Sequence, residues 1–200
     1  MYHVKSGLIL KCDARKQKCP FQDQPHFESL EKAVAFYEDQ YTSHLTGVRK
    51  GVPPFMAAEL LAGERYMGLS IPNQLISPSR KLWREHVGDE AASLMEKNKA
   101  ARDRGHHYHM TLVGPPEMTG EIQSTPLPVF RVSRLEAQGI GQAIDGNKEA
   151  WFVICESPEM ASWRQDMGLP PKDLHITLGF INGDVHTRPK GIESMVLEIP

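Results

Sequence analysis

Hydrophobic and polar positions alternate with two different periods along this chain. Apolar residues recur at helical spacing in the segments 30–40, 56–64 and 79–104, which predicts helices there, and a short helix is predicted at 158–168. Runs rich in β-branched and aromatic residues predict strands at 2–11, 107–113, 129–135, 151–155, 174–180 and 191–199. Proline and glycine interrupt the pattern at 68–78, 114–128 and 139–147, where loops and turns are expected. The chain is therefore predicted to contain both strands and helices.

The first 50 residues form a separate module in this interpretation. A strand over 2–11 and a turn around Pro20 precede a helix whose predicted N-cap is Ser29. Two glycines and a Pro-Pro pair make residues 47–54 the best candidate for a linker. We therefore expect a strand–turn–helix module over residues 1–50 and a second domain over residues 51–200.

Two short strings carry the most specific chemistry. They are His109-x-Thr111 and His175-x-Thr177, and each lies within a predicted strand. Side chains at i and i+2 of a strand point to the same face, so each string presents an imidazole beside a hydroxyl. Two imidazoles can act as general base and general acid near neutral pH, and two hydroxyls can donate hydrogen bonds to a phosphate. If both strings face one groove, they form a site that can break a phosphate ester without a metal.

A third string, His44-Leu45-Thr46, matches the same pattern in a different context. It follows a predicted helix and leads into the glycine-rich linker, so we interpret it as a chance match. The other two strings are followed by a leucine and a nearby glycine, and the chain between them can form a supersecondary unit. The alternative is that two unrelated strands happen to carry surface histidines and threonines.

These residues resemble the 2H phosphoesterase superfamily, which is named for two His-x-Thr/Ser motifs. The resemblance covers roughly residues 100–200, including the strand at 151–155 and the helix at 158–168. It implies a two-lobed α+β fold in which antiparallel sheets carry one motif per lobe and helices lie outside. It also implies that His109, His175, Thr111 and Thr177 are catalytic, and that no metal or other cofactor is needed.

This resemblance implies a phosphodiesterase. Members of the superfamily act on RNA 2′,3′-cyclic phosphates and ADP-ribose cyclic phosphate, and some phage members degrade cyclic oligonucleotide signals. The expected substrate is therefore a cyclic phosphate or a phosphodiester in a nucleotide, a cyclic oligonucleotide or an RNA end, and the phage setting is the one we favour. The alternative is a binding module that recognises a cyclic nucleotide or RNA without turnover. The intact set of two histidines and two threonines favours the enzyme.

Side chains near the two motifs are candidate substrate contacts. Aromatic residues can stack on a nucleobase, and basic residues can meet phosphate oxygens. The candidates are Tyr108, Trp151 and Phe180, and also His186, Arg188 and Lys190. Core packing is the alternative for the aromatic residues, since aromatic side chains in strands usually pack. A solvated loop is the alternative for the basic residues.

Composition narrows the class of partner. The formal net charge is −2, which disfavours a protein that binds long nucleic acids electrostatically. The chain has three cysteines, an odd number, and it shows no apolar run long enough for a signal peptide or a membrane span. We therefore expect a cytoplasmic protein with no membrane partner and no disulfide framework. The sequence does not predict an oligomeric state.

Zinc is an alternative for the N-terminal module. Cys12, Cys19 and His26 are evenly spaced and can supply three ligands, with His3 or Asp23 as a fourth. Such a site would make the module a zinc-dependent nucleic-acid adaptor. The spacing matches no established zinc motif, so reduced thiols in a turn remain the default interpretation.

Overall fold

The computed structural model of the chain describes residues 2–5, 8–11, 26–33, 55–61, 65–105 and 107–199. The strands are β1 (Tyr2–Lys5), β2 (Leu8–Lys11), β3 (His26–Phe27), β4 (Phe55–Leu61), β5 (Tyr66–Ile71), β6 (Tyr108–Val113), β7 (Leu127–Arg131), β8 (Glu136–Asp145), β9 (Lys148–Glu156), β10 (Leu174–Ile181) and β11 (Met195–Glu198). The α-helices are α1 (Asn73–Val87), α2 (Asp89–Asp103), α3 (Gly120–Ser124) and α4 (Pro158–Asp166).

Within the described ranges, the strands join edge to edge in the order β11-β8-β9-β10-β6-β5-β4-β7-β2-β1-β3. Every neighbouring pair is antiparallel. The two motif strands, β6 and β10, are neighbours at the junction between the two halves of this order, so each half contributes one motif. The predicted α+β fold with antiparallel strands is therefore confirmed.

One face of the sheet carries the helices and the main hydrophobic core. Side chains at alternate positions of the central strands, among them Met110 and Ile176, pack there and are almost completely buried. Each of the three longer helices contributes apolar residues to the same core, such as Trp83 from α1, Met95 from α2 and Met160 from α4. We call this side of the sheet the helix face.

The opposite side of the sheet carries two smaller hydrophobic clusters. One is built on β8, β9 and β10 and contains Ala143, Ala150, Phe152, Ile154, Phe180 and Val185. The other lies towards the far edge, where Phe55 and Val129 pack against Ala33. The motif strands run between these two clusters, and we call this side the site face.

Three predicted elements were wrong, and sheet pairing explains each of them. The start of the segment 68–78 was expected to be irregular, but residues 68–71 belong to β5, which pairs with β4 and β6. Residues 56–64 were expected to be helical, but β4 spans Phe55–Leu61 because it pairs with β7 on one side and β5 on the other. Residues 139–147 were expected to form a turn, but most of them belong to β8. Gly139 and Gly141 occur in that strand because the side chains of Met195 and Phe152 occupy the space that a Cβ would need.

The helical segment predicted over 79–104 is two helices, and the first begins earlier than expected. α1 starts at Asn73 and includes Pro78, which was expected to keep residues 68–78 out of a helix. Proline cannot donate a backbone hydrogen bond. The one helical hydrogen bond that Pro78 removes is therefore its own bond to the Gln74 carbonyl, and the Ser77 hydroxyl bonds separately to the Asn73 carbonyl at 2.8 Å. None of the helices in the described ranges has the length and apolar character needed to cross a membrane.

The N-terminal strands join the same sheet. β2 pairs with β7, with Ile9 opposite Val129. A helical turn begins at Leu30, and the Ser29 hydroxyl accepts a hydrogen bond from the Lys32 amide at 3.3 Å, as expected for an N-cap. The predicted linker at 47–54 and the string His44-Leu45-Thr46 lie outside the described residues, and the division at residue 50 stays a prediction.

Gly179 provides a test of the packing between α2 and β10. A Cβ on Gly179 would lie 2.7 Å from the Cβ of Met95 and 2.8 Å from its backbone carbon, and a helix backbone cannot move aside cheaply. We expect Gly179→Ala to lower the free energy of unfolding by about 1–3 kcal/mol, measured by urea denaturation. Gly120→Ala is the matched control because its Cβ would meet open space, and its stability should be unchanged or slightly higher. Equal stabilities of the two variants would contradict this packing.

Candidate active site

The register between β6 and β10 brings the two motifs together on the site face. Ile176 lies opposite Met110 in this antiparallel pair, and both side chains point to the helix face. Continued by one residue in each direction, this register sets His175 opposite Thr111 and His109 opposite Thr177. Strand alternation therefore places all four side chains on the site face, with each histidine directed towards the threonine of the other motif.

The His175 ring is fixed by a hydrogen bond and by an aromatic neighbour. Its Nδ1 lies 3.1 Å from the Asp173 carbonyl oxygen, which can only accept, so Nδ1 carries the proton and Nε2 keeps its lone pair in the neutral ring. The ring also packs edge-on against Phe152, with centroids 5.6 Å apart. Burial, assisted by the positive charge of Lys190, lowers the pKa of His175 to about 4. His175 is therefore neutral at pH 7 in the free protein.

His109 lies in a different electrostatic setting. Burial lowers its pKa from the usual value, and the negative charge of Asp103 opposes that shift. The His109 ring is 5.8 Å from the ring of Tyr66, a half-buried residue on β5. Ser70 lies opposite His109 in the β5–β6 pair, so the floor of the site extends from the motif strands onto β5.

A chain of largely buried ion pairs, joined through the partly exposed Arg102, closes one end of the site. We call Lys99, Asp103, Arg102, Asp184 and Lys190 the Asp184 cluster. Asp184 accepts hydrogen bonds from Lys190 at 2.8 Å and from Arg102 at 2.5 Å, and Arg102 and Lys99 both contact Asp103. Burial alone would raise the pKa of Asp184, but Lys190 and Arg102 lower it to about 2. Asp184 therefore stays negatively charged across the physiological range.

A second group of ion pairs lies at the other end of the motif strands. We call Arg164, Glu117 and Lys172 the Glu117 cluster. Glu117 contacts Arg164 at 2.6 Å and Lys172 at 3.0 Å, and it accepts a hydrogen bond from the Gly114 amide at 2.6 Å. Burial would raise the pKa of Glu117, but these hydrogen bonds lower it to about 2. Glu117 follows the first motif and Lys172 precedes the second, so this cluster connects the two motif segments.

Of the six candidate substrate contacts, two lie on the helix face, one is buried in a cluster on the site face, and two are exposed on the loop after β10. Tyr108 and Trp151 belong to the core of the helix face and are nearly buried, so their interpretation as base-stacking residues is corrected: strand alternation points them away from the histidines. Phe180 lies on the site face but is buried beneath Arg102, whose guanidinium carbon is 4.8 Å from its ring centroid. Arg188 and also His186 are exposed on the loop after β10.

Lys190 is the candidate contact that the structure brings closest to the motifs. Its side chain is 5% exposed, and its ammonium group lies 5.4 Å above the centroid of Phe152, the ring that packs against His175. Asp184 holds it there. Lys190 therefore places a positive charge beside the second motif, where an anionic substrate group would be attracted.

Sequence reasoning missed Tyr66, Arg164 and the Glu117 cluster. Tyr66 lies between the predicted helix at 56–64 and the segment expected to be irregular at 68–78, so it received no prediction, and its position on the site face depends on the pairing of β5 with β6. Arg164 looks like any polar residue of a short amphipathic helix, although it is only 2% exposed. The signal in the sequence was that Glu117 follows the first motif and Lys172 precedes the second, so that opposite charges flank the two motifs.

Metal ligands are not grouped in the part of the chain that the structure describes: no set of three or more His, Cys, Asp and Glu side chains is close enough to hold a metal ion. Cys12 and Cys19, two of the three candidate zinc ligands, lie outside the described residues, and His26 lies in β3. Cys155 is a buried free thiol on the helix face, where burial raises its pKa to about 12. It is therefore a packing residue.

Comparison with known protein families gives one match. A family model described as "Swiss Army Knife, 2H phosphoesterase domain" matches residues 75–186, more than half of the chain. The matched range contains both motif strands and begins within α1, earlier than the roughly 100–200 expected from the motifs. No curated protein and no solved structure matches the chain.

The low pKa of His175 predicts how stability depends on pH. The unfolded chain binds a proton on this residue near pH 6.5, whereas the folded chain binds it only near pH 4. Between these values the unfolded state carries more protons on His175. The contribution of His175 to stability therefore falls as the pH is lowered, by at most about 1.4 kcal/mol per pH unit. We expect His175→Gln to flatten the decline in unfolding free energy between pH 6.5 and 4.5, measured by urea denaturation.

The exposed residue His186 supplies the control for this measurement. His186→Gln should follow the pH dependence of the unsubstituted protein, because its side chain stands in water in the folded and the unfolded chain. If His175→Gln also follows it, the ring of His175 is not held in a desolvated position.

Proposed function

The chain belongs to the 2H phosphoesterase superfamily, and from that premise we propose that it is a metal-independent phosphodiesterase acting on a cyclic phosphate or phosphodiester of a nucleotide, a cyclic oligonucleotide or an RNA end. Membership itself assigns phosphoesterase activity in general. The observation that carries the finer proposal is the β6–β10 register, which sets two histidines and two threonines on one face of the sheet.

Hydrolysis of a 2′,3′-cyclic phosphate needs one proton removed and one supplied. The oxygen of water forms a bond to phosphorus while the bond from phosphorus to one ribose oxygen breaks. One histidine takes the proton of the attacking water, and the other donates a proton to the leaving oxygen. Two histidines on neighbouring strands can reach opposite sides of a phosphorus atom placed between them.

We assign the base to His175 and the acid to His109. His175 is neutral at pH 7, with its Nδ1 proton committed to the Asp173 carbonyl and its Nε2 lone pair available. A bound phosphodiester anion raises the pKa of both rings, which brings His175 closer to the value of an efficient base and favours a protonated His109. Asp103 further supports the positive charge of His109.

The threonines and Lys190 form the electrostatic part of the site. Thr111 and Thr177 donate hydrogen bonds to the non-bridging phosphate oxygens, where negative charge increases as the bond to the leaving oxygen breaks. The Lys190 ammonium group, held by Asp184, lies on the side of His175. Because Asp184 fixes Lys190 before substrate binds, little reorganisation is needed during the reaction.

The remaining surface beside His109 suits a nucleobase. Tyr66 presents a half-buried ring next to this histidine, and a base can stack on such a ring. Glu59 accepts a hydrogen bond from Ser70 on the same face, so a carboxylate stands near the edge of a stacked base. Gly68 lies between Glu59 and Thr111 in the register and contributes no side chain. This arrangement supports a substrate that carries a base over a simple phosphodiester.

The catalytic assignment predicts the effect of removing either ring. We expect His109→Ala and His175→Ala each to lower kcat by about 10²–10⁴-fold, because each loses one proton transfer. Turnover should be measured with EDTA present on 2′,3′-cyclic nucleotides, RNA with cyclic-phosphate ends, ADP-ribose 1″,2″-cyclic phosphate and cyclic di- and trinucleotides. Circular dichroism should show folded variants, since both rings lie on the half-buried site face.

His86→Ala is the matched control. Its ring packs against Trp151 on the helix face, 5.6 Å between centroids, so its removal should change kcat by less than about threefold. Tight binding of one compound with no cleavage of any would contradict the proposal and favour a binding module. Activity lost in EDTA and restored by a divalent cation would contradict the metal-independent mechanism.

Tyr66 predicts a dependence on the base. We expect Tyr66→Leu to lower the ratio of kcat/KM for a 2′,3′-cyclic nucleotide to kcat/KM for base-free ribose 2,3-cyclic phosphate by about tenfold, since stacking on an aromatic ring contributes about 1–3 kcal/mol per base. Tyr66→Phe keeps the ring and should keep the ratio. An unchanged ratio in Tyr66→Leu would place the base elsewhere.

A further inference from the structure

The junction between the two motif strands is paired over a shorter length than its neighbours. β6 and β10 pair at Met110 and Ile176, whereas β9 pairs with β10 from Leu174 to Ile181 and β5 pairs with β6 along the whole of β6. We call this junction the seam. Since each histidine lies on its own side of the seam, their separation depends on how firmly the two halves of the sheet are held together there.

Arg164 of α4 bonds to segments on both sides of the seam. Its Nη1 donates to the carbonyl oxygen of Leu112, the residue after Thr111, at 2.5 Å. Its Nε and Nη2 donate to the carbonyl oxygen of Pro170, in the segment that leads into β10, at 3.1 Å and 2.5 Å. One guanidinium group therefore holds the end of the first motif strand and the approach to the second.

The charge of Arg164 is balanced on the first-motif side. Glu117 accepts its hydrogen bond at 2.6 Å and also binds Lys172, two residues ahead of Leu174. Arg164 is 2% exposed. A buried guanidinium must have its donors satisfied, and here both carbonyl partners belong to the motif segments. The motif segments therefore constrain the position of Arg164, and Arg164 in turn constrains the position of the motif segments.

The opposite end of the seam is held in a similar way by the Asp184 cluster. Lys99 donates to the His107 carbonyl, just before β6, at 2.5 Å, and Asp184 follows β10. Arg102 joins the two through Asp103 and Asp184. Arg164 differs from this cluster because a single side chain makes the connection without an intermediate.

We infer that Arg164 is a positioning residue: by bonding the ends of both motif segments, it sets the distance between His109 and His175 across the seam. The catalytic part of this inference rests on the proposed function. A misplacement of about 1 Å at a reacting centre can cost about 100-fold in rate, so a small opening of the seam has a large effect on turnover.

The test is Arg164→Lys, which keeps the charge and loses the planar fork that reaches both carbonyls. We expect kcat to fall about 100-fold with KM changed by less than about threefold, at a temperature where circular dichroism shows a folded protein. Glu117→Gln, a change at a less buried partner, should lower kcat by a smaller factor. It replaces Arg164→Lys if that variant does not fold.

Arg131→Lys is the matched control. Arg131 lies at the end of β7, is partly buried and pairs with Glu159 of α4, the helix that also carries Arg164. It contacts neither motif segment. Its kcat should stay within about twofold of the unsubstituted protein. An equal loss of kcat in both arginine variants, or an unchanged kcat in Arg164→Lys, would overturn the inference.

Amide hydrogen exchange separates this inference from the proposed function. Faster exchange over 108–113 and 174–181 in Arg164→Lys, with no change in Arg131→Lys, would support the seam constraint even if no compound on the substrate panel is cleaved. Unchanged exchange in these strands would overturn it in either case. Loss of activity in the histidine variants tests the catalytic assignment alone.

Discussion

The register between two antiparallel strands is the constraint on which the candidate site depends. Met110 and Ile176 are opposite each other because both belong in the helix-covered core. A slip of one residue would exchange the faces of the slipped strand, which would bury a histidine and a threonine and expose apolar side chains. The hydrophobic core therefore specifies the arrangement of polar groups on the opposite side. The residues between the histidines and threonines are as much a part of the motif, in physical terms, as the reactive side chains.

The same packing determines the charge state of the site. Both histidines lie in a partly desolvated surface, so both favour the neutral ring in the absence of substrate. The charged residues around them are arranged as compensated pairs: Lys190 with Asp184, and Arg164 with Glu117. A buried pair is costly to form and more costly to break, so such pairs are a weak source of stability but a strong source of position. The site is therefore surrounded by charges that are ordered before substrate arrives.

The sequence predicted the features that depend on local pattern and missed those that depend on pairing. The alternation around His109 and His175 was sufficient to predict two strands, each with its histidine and threonine on the same face. Tyr108 and Trp151 were misplaced because proximity in sequence does not give the face of a strand until its register is known. Residues of β4 were predicted to be helical because their apolar positions fit both a helical and a strand period. The pairing of β4 with β5 and β7 makes the segment a strand. Arg164 could not be found locally, because its partners are distant in sequence.

The two faces of the sheet have different roles. The helix face packs against the helices and fixes the positions of the motif strands. The groups that can distinguish substrates lie on the site face, on β4 and β5 beside His109 and in the loop after β10 beside His175. The family match begins within α1, after β4 and β5, so it covers the catalytic strands but not this wall of the site. The family match therefore covers both motif strands, and the β4–β5 surface proposed to contact the base lies outside it.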